Sequence, residues 1–137
     1  MVKIVVDTSV VVKWFIDEMY SENARKIRDE YVNGTVDLVA PELMPFEVLN
    51  ALRYSGLFEK DELIMVAKSL ELYGFELYPL SGNLAENTVK IAVEKDVTIY
   101  DAAYVALAME LNTNLYTADE KLIKRVELEF VKHVSEF

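Results

Sequence analysis

Four acidic residues lie in segments that are otherwise apolar or that end a strand, where a charge is costly. They are Asp7, Glu47, Asp101 and Asp119. If these carboxylates converge, they repel one another, and the cluster must bind protons or a divalent cation. Oxygen ligands alone, in a chain with no Cys and one His, favour Mg²⁺ or Mn²⁺ over Zn²⁺. Such a site suggests hydrolysis of phosphodiester bonds by a metal-activated water.

The local sequence sets these acids apart from ordinary surface charges. Asp7 ends the apolar run "VKIVV", and Asp119 follows the strand-like segment "NLYTA". Glu47 shares a predicted helix face with Leu43, Asn50, Ala51 and Tyr54, which is not the obvious solvent side of the helix. Asp101 is the one early charge of a segment that is apolar on nearly every side, which predicts a buried helix.

Each acid also has an ordinary structural explanation. Asp7 can cap the helix that follows it, and Asp101 lies at the capping-box spacing from Thr98. Asp119 suits the first turn of a helix, where the helix dipole favours negative charge, and Glu47 can pair with a buried arginine. Because the acids come from four separate elements, two of them at strand ends, these explanations weaken when taken together.

Alternating strands and helices are predicted along the whole chain. The predicted strands are 2–6, 36–41, 75–80, 114–118 and 129–134, and the predicted helices are 9–16, 21–34, 42–56, 60–74, 83–96, 99–112 and 119–126. This order favours an α/β fold, a three-layer sandwich around a mostly parallel sheet of about five short strands. Sites in such sheets form at the carboxyl ends of the strands, where Asp7 and Asp119 are expected.

Composition limits the class of protein. The 137 residues suit one domain spanning 1–137, and no apolar run is long enough to predict a membrane span. The absence of Cys is consistent with a cytoplasmic location. The formal net charge of −10 argues against a binder that relies on general attraction to nucleic acid. It leaves open an enzyme whose acids hold cations that meet phosphates.

Four segments carry a resemblance to a known family. They are "VVDTSVVVKWF", "PELMPFEVLNAL", "TIYDAAYVALA" and "LYTADEKL". In order and spacing they resemble the signature segments of PIN-domain proteins, and look closest to the small ribonucleases of VapBC toxin–antitoxin pairs. The resemblance implies a Mg²⁺- or Mn²⁺-dependent endoribonuclease with an RNA substrate and a small antitoxin protein as partner.

The resemblance also implies roles for individual residues. The catalytic metal site would be built from Asp7, Glu47, Asp101 and Asp119. Hydroxyl groups close to it would come from Thr8 or Ser9, and from Thr117. Since all four acidic positions are filled, nothing in the chain indicates a degenerate member.

Basic and apolar residues outside these acids give weaker predictions. Candidate contacts to RNA phosphates are Lys13, Lys121, Lys124 and Arg125, for which a solvated helix face is the competing explanation. The helix over 62–73 carries more apolar residues than one face needs, which predicts either a homodimer contact or a core helix. Trp14 and Phe15 are expected in the core or against a partner, and His133 is expected to be structural.

Other function classes stay open at this point. One is a PIN-fold RNA-processing nuclease outside toxin–antitoxin systems, and another is a non-catalytic PIN-like binding module. An aspartyl-phosphate receiver domain is disfavoured because it needs two adjacent acids after its first strand, whereas Asp7 lies between Val6 and Thr8.

Overall fold

A parallel β-sheet runs through the centre of the structure, a computed structural model that describes residues 2–137. In that range the strands are β1 (Val2–Val6), β2 (Val36–Pro41), β3 (Glu76–Tyr78), β4 (Leu115–Thr117) and β5 (Val131–His133). Their order across the sheet is β3-β2-β1-β4-β5, and every neighbouring pair is parallel. The predicted parallel sheet is therefore confirmed.

Helices cover both faces of this sheet. They are α1 (Thr8–Val11), α2 (Ser21–Val32), α3 (Met44–Tyr54), α4 (Lys60–Tyr73), α5 (Gly82–Lys95), α6 (Ile99–Glu110) and α7 (Glu120–Val126). Successive residues of a strand point to opposite faces, and both Val5 and Val6 of β1 are fully buried. The same holds for Leu38 and Val39 of β2. The predicted three-layer α/β sandwich is confirmed.

Helix α6 is the most deeply buried helix, as its sequence predicts. Its residues 102–108 are all buried, and it packs against α5, β1 and β2. The Thr98 hydroxyl caps its first turn by accepting a hydrogen bond from the Asp101 backbone N–H at 3.0 Å. Asp101 therefore lies at the amino end of a helix that the core holds in place.

Several predicted element ends differ from the structure. Strand β3 stops at Tyr78, because the following Pro79 has no N–H to donate to a neighbouring strand. The predicted helix 9–16 is an α-helix over Thr8–Val11 that tightens into a 3₁₀ turn over Val12–Trp14. Strand β5 gives way to a 3₁₀ turn over Val134–Glu136, which the side chains of His133 and Glu136 cap.

The two aromatic residues after α1 differ in exposure. Trp14 is buried, its indole N–H donates to the Ala24 carbonyl at 2.8 Å, and its ring packs against Tyr73 and Phe75. Trp14 is therefore a core residue and is not available to a partner, whereas Phe15 is only partly buried. Within residues 2–137, no helix is both long and apolar enough to cross a membrane.

Candidate functional site

The carboxyl ends of β1 and β4 lie side by side and bring together two of the four acids. Val5 and Val6 of β1 pair with Leu115 and Tyr116 of β4. Asp7 directly follows β1, and Asp119 lies two residues beyond the end of β4. Parallel strands therefore deliver both residues to the same edge of the sheet, where such folds place their sites.

Asp7 is a buried carboxylate held by two hydroxyl groups. It is 7% exposed, and it accepts hydrogen bonds from Ser9 Oγ and from Thr117 Oγ1, each at 2.5 Å. Although Asp7 is the N-cap residue of α1, its side chain makes no capping hydrogen bond. Its oxygens instead accept from the side chains of Ser9 and Thr117.

The electrostatics of Asp7 follow from this burial. Loss of water raises the pKa of Asp7 to about 6, against the opposing effect of the two hydroxyl hydrogen bonds. The negative charges of Asp101 and Asp119 raise the pKa further. A group in this position binds a proton or a cation readily.

A small network of hydroxyl and backbone groups fixes the end of β4 against α1. Ser9 Oγ accepts from the Ala118 N–H at 2.9 Å, and Thr117 Oγ1 accepts from the Asp119 N–H at 3.0 Å. Asp119 in turn caps α7, since its Oδ1 accepts from the Leu122 N–H at 3.1 Å. Asp119 therefore has a structural role at the start of α7, as its sequence position predicts.

Asp101, the third predicted acid, comes from α6. It is half-buried in the first turn of α6. Burial raises the pKa of Asp101, and the charges of Asp119 and Glu47 raise it further. All four predicted acids are therefore electrostatically coupled. The charges of Asp119 and Glu47 raise the pKa of Asp101, and the charges of Asp101 and Asp119 raise the pKa of Asp7.

Glu47 is held by two further hydroxyl groups. Its Oε1 accepts from Tyr104 OH at 2.8 Å and from Thr8 Oγ1 at 3.1 Å. Sequence reasoning singled out Thr8 and missed Tyr104. The available signal was spacing, since Tyr104 lies three residues after Asp101 and so shares its helix face.

The basic candidates do not share one environment. Lys13 is 8% exposed, and its Nζ lies 2.6 Å from Glu18 Oε2 in an ion pair. Arg125 lies 3.4 Å from Asp96 in an exposed pair. Lys121 and Lys124 are exposed on α7, directly after Asp119.

Whether these residues fit a metal ion depends on the type of their donor atoms and on how the side chains are arranged. The donors are carboxylate and hydroxyl oxygens, which suit a hard divalent cation. Within residues 2–137, however, no group of three or more His, Cys, Asp or Glu side chains is arranged so that it could hold a metal ion. A cation such as Mg²⁺ keeps several waters and commonly needs only one or two carboxylates, so an open arrangement fits it.

Comparison with known proteins gives one family and several relatives. A model of the PIN domain family matches residues 4–128. Ribonuclease VapC3 of Pyrobaculum aerophilum is 30% identical over 127 residues, which cover 90% of this chain and 94% of that protein.

Solved structures agree on the fold. VapC20 of Mycobacterium tuberculosis, described as a sarcin–ricin loop cleaving toxin, matches with a TM-score of 0.70 at 16% identity over 93% of this chain and 96% of that one. A toxin–antitoxin complex from Klebsiella pneumoniae matches with a TM-score of 0.64 at 17% identity, over 87% of this chain and 88% of that one. Because the family model covers nearly all of the sequence, the chain belongs to the PIN domain family.

Proposed function

We propose that this protein is a divalent-metal-dependent endoribonuclease and the toxin of a toxin–antitoxin pair. The observation that carries the proposal is Asp7, a buried carboxylate at a strand end with a raised pKa, in the field of Asp101 and Asp119. Membership of the PIN family and the likeness to a VapC ribonuclease support RNA as the substrate.

The metal would be Mg²⁺ or Mn²⁺, and its ligands, direct or through water, would be Asp7, Glu47, Asp101 and Asp119. When bound, such an ion supplies a hydroxide from its water at neutral pH and stabilises the leaving oxygen. Ser9 and Thr117 hold the Asp7 carboxylate in one orientation through a hydrogen bond to each of its oxygens. Fixed ligands of this kind keep reacting groups in place during the reaction.

Substrate phosphates would approach from the side of α7. Lys121, Lys124 and Arg125 follow Asp119 along this helix and are exposed. Their positive charges partly offset the acidic cluster for an incoming phosphate. We leave Lys13 out of this surface because its side chain is buried as well as paired with Glu18.

The test is the chemistry of the cut ends. Single-stranded RNA is incubated with the protein in Mg²⁺ or Mn²⁺, with EDTA, and with an Asp101→Asn variant, using Glu94→Gln on the exposed side of α5 as the control. We expect cleavage with either metal, loss with EDTA or Asp101→Asn, and 5′-phosphate with 3′-hydroxyl ends. A 2′,3′-cyclic phosphate would mean that the ribose 2′-hydroxyl attacked, which contradicts a metal-activated water.

We propose in addition that the protein forms a homodimer through α4. This helix buries Val66 and Leu70 in the core, yet Ile64, Met65 and Leu72 on its other sides are exposed, Leu72 at 87%. An apolar surface of this kind on a folded domain indicates a protein contact. Sedimentation of the purified protein tests this, since a mass of 15.7 kDa at all concentrations would contradict a dimer.

A further inference from the structure

Tyr104 is a polar exception in a helix that is otherwise packed like a core element. The residues on either side of it are buried valine and alanine, and Tyr104 itself is only 2% exposed. Its hydroxyl group lies 2.8 Å from Glu47 Oε1. A buried tyrosine hydroxyl needs a hydrogen-bond partner, but that need alone does not require a carboxylate on another helix.

Thr8 also contacts both Glu47 and Tyr104. Its Oγ1 is 3.1 Å from Glu47 Oε1 and 3.1 Å from Tyr104 OH. When Glu47 is ionised, its carboxylate has no proton and only accepts hydrogen bonds. Each of the two hydroxyl groups has one proton to donate. Both hydroxyl groups lie within hydrogen-bond distance of Oε1, and between the two hydroxyls either one can be the donor, so at least one of them always donates to Oε1.

The consequence is that the two carboxylate oxygens of Glu47 differ. The side-chain hydrogen bonds that residues 2–137 make to Glu47 both end on Oε1. This fixes the plane of the carboxylate and leaves Oε2 to a cation or its water. The contact also ties α1, α3 and α6 together, and α6 carries Asp101 one turn before Tyr104.

We infer that Tyr104, with Thr8, is a positioning residue that orients Glu47 and sets its place relative to Asp101 for metal binding. The inference rests on the proposed function, because it assigns both residues to the metal site. It concerns hydrogen-bond geometry and does not require Tyr104 to ionise or to touch RNA.

The experiment uses substitutions that keep the shape of the side chains. Tyr104→Phe removes the hydroxyl group and keeps the ring, and Thr8→Val keeps the branched shape. Tyr31→Phe is the matched control, since Tyr31 OH donates to the Tyr73 carbonyl at 2.7 Å in a contact built from α2 and the end of α4. Thr8→Ser restores the hydroxyl group.

The main readout is the dissociation constant for Mn²⁺, measured by calorimetry on the protein without RNA. Groups that orient metal ligands typically contribute about 10- to 100-fold to affinity. We expect Tyr104→Phe and Thr8→Val each to weaken Mn²⁺ binding by about 10-fold, with Thr8→Ser and Tyr31→Phe close to wild type. The Mg²⁺ concentration for half-maximal RNA cleavage should rise in the same variants.

The outcomes separate this inference from the proposed function. Unchanged Mn²⁺ affinity in folded Tyr104→Phe and Thr8→Val, or an equal loss in Tyr31→Phe, overturns the positioning role alone. Wild-type protein that binds Mn²⁺ but does not cut RNA overturns the nuclease proposal alone. Wild-type protein that binds no Mn²⁺ at millimolar concentration overturns both. Thermal melting of each variant identifies any substitution that unfolds the chain, in which case the remaining hydroxyl variant decides.

Discussion

At the scale of single residues, Asp7 sets the energetics of the site. Its carboxylate is almost fully buried, and it is compensated by hydroxyl groups and not by a basic side chain. Hydroxyl hydrogen bonds lower the cost of the charge without removing it, so the pKa of Asp7 is raised to about 6. The metal-free protein therefore holds an unfavourable charge at neutral pH, and a cation would relieve it.

This charge makes stability depend on pH in a defined direction. The pKa of Asp7 is raised from 3.8 to about 6 in the folded state. The folded state therefore holds a proton on Asp7 where the unfolded state does not, and the contribution of Asp7 to stability falls as pH rises from about 4 to about 6. A rise in the pKa of Asp7 from 3.8 to about 6 corresponds to about 3 kcal/mol.

Asp7→Asn should remove this loss, because asparagine keeps the shape and has no charge. In EDTA we expect the variant to be more stable than wild type by up to about 3 kcal/mol at about pH 7.5, with little difference at about pH 4. Urea unfolding at both pH values measures this, with Glu94→Gln as an exposed control. An Asp7→Asn variant that is less stable than wild type at both pH values would contradict the assigned charge.

The sequence indicated Asp7, Glu47, Asp101 and Asp119 as site candidates because each of them interrupts or ends an apolar pattern. Spacing places Tyr104 on the same helix face as Asp101, but a tyrosine in a buried helix also fits an ordinary core, and only tertiary packing decides where its hydroxyl group points. The same limit applies to Lys13, whose ion pair with Glu18 depends on a turn that no local pattern defines. The roles of the four acids as metal ligands stay predictions.

At the scale of elements, the site depends on how β1 and β4 end. Thr117 is the last residue of β4, and its hydroxyl group bonds both Asp7 and the backbone N–H of Asp119. One side chain therefore connects the ends of two strands and the start of α7. Since α7 has only seven residues, its position relies on such contacts at its amino end.

Thr117→Val keeps the shape of this side chain and removes its hydrogen bonds. The Thr117 hydrogen bond lowers the pKa of Asp7, so its loss raises that pKa further and makes the charged form more costly. We expect a loss of about 1–3 kcal/mol at about pH 7.5, and a smaller loss at about pH 4, where Asp7 is protonated. Urea unfolding measures both, and an equal loss at the two pH values would show that Asp7 is not involved.

The order and type of the elements were predictable, and several of their ends were not. Alternation of short apolar runs with helical patterns defines the sheet, and α6 was correctly predicted as buried. Two element ends differ from the predicted ones. Strand β3 ends at Tyr78 because a proline follows, and α1 ends at Val11 because the chain tightens there into a 3₁₀ turn. Such endings depend on single residues, which a periodic pattern averages over.

At the scale of the whole molecule, the net charge of −10 and the acidic cluster make this surface attractive to a cationic partner. An active ribonuclease inside its own cell needs an inhibitor. An arginine or lysine that reaches the four acids would gain charge-assisted hydrogen bonds and relieve their repulsion. Apolar residues of the partner, next to that cation, could pack against Phe15, which is partly exposed. Trp14 is not available for such a contact because it is buried in the core.

We therefore expect a small antitoxin with a basic tail, encoded next to this protein, to bind it tightly and to block RNA cleavage. Co-expression and co-purification of the pair test binding, and the RNA assay tests inhibition. Substitution of the tail arginine or lysine by alanine should restore cleavage, because the acidic cluster would again be open to Mg²⁺. The same substitution at a basic residue elsewhere in the partner should leave inhibition intact. If the neighbouring protein neither binds nor inhibits, while the metal-dependent cleavage of RNA persists, the chain acts as a PIN-fold RNA-processing nuclease outside toxin–antitoxin systems.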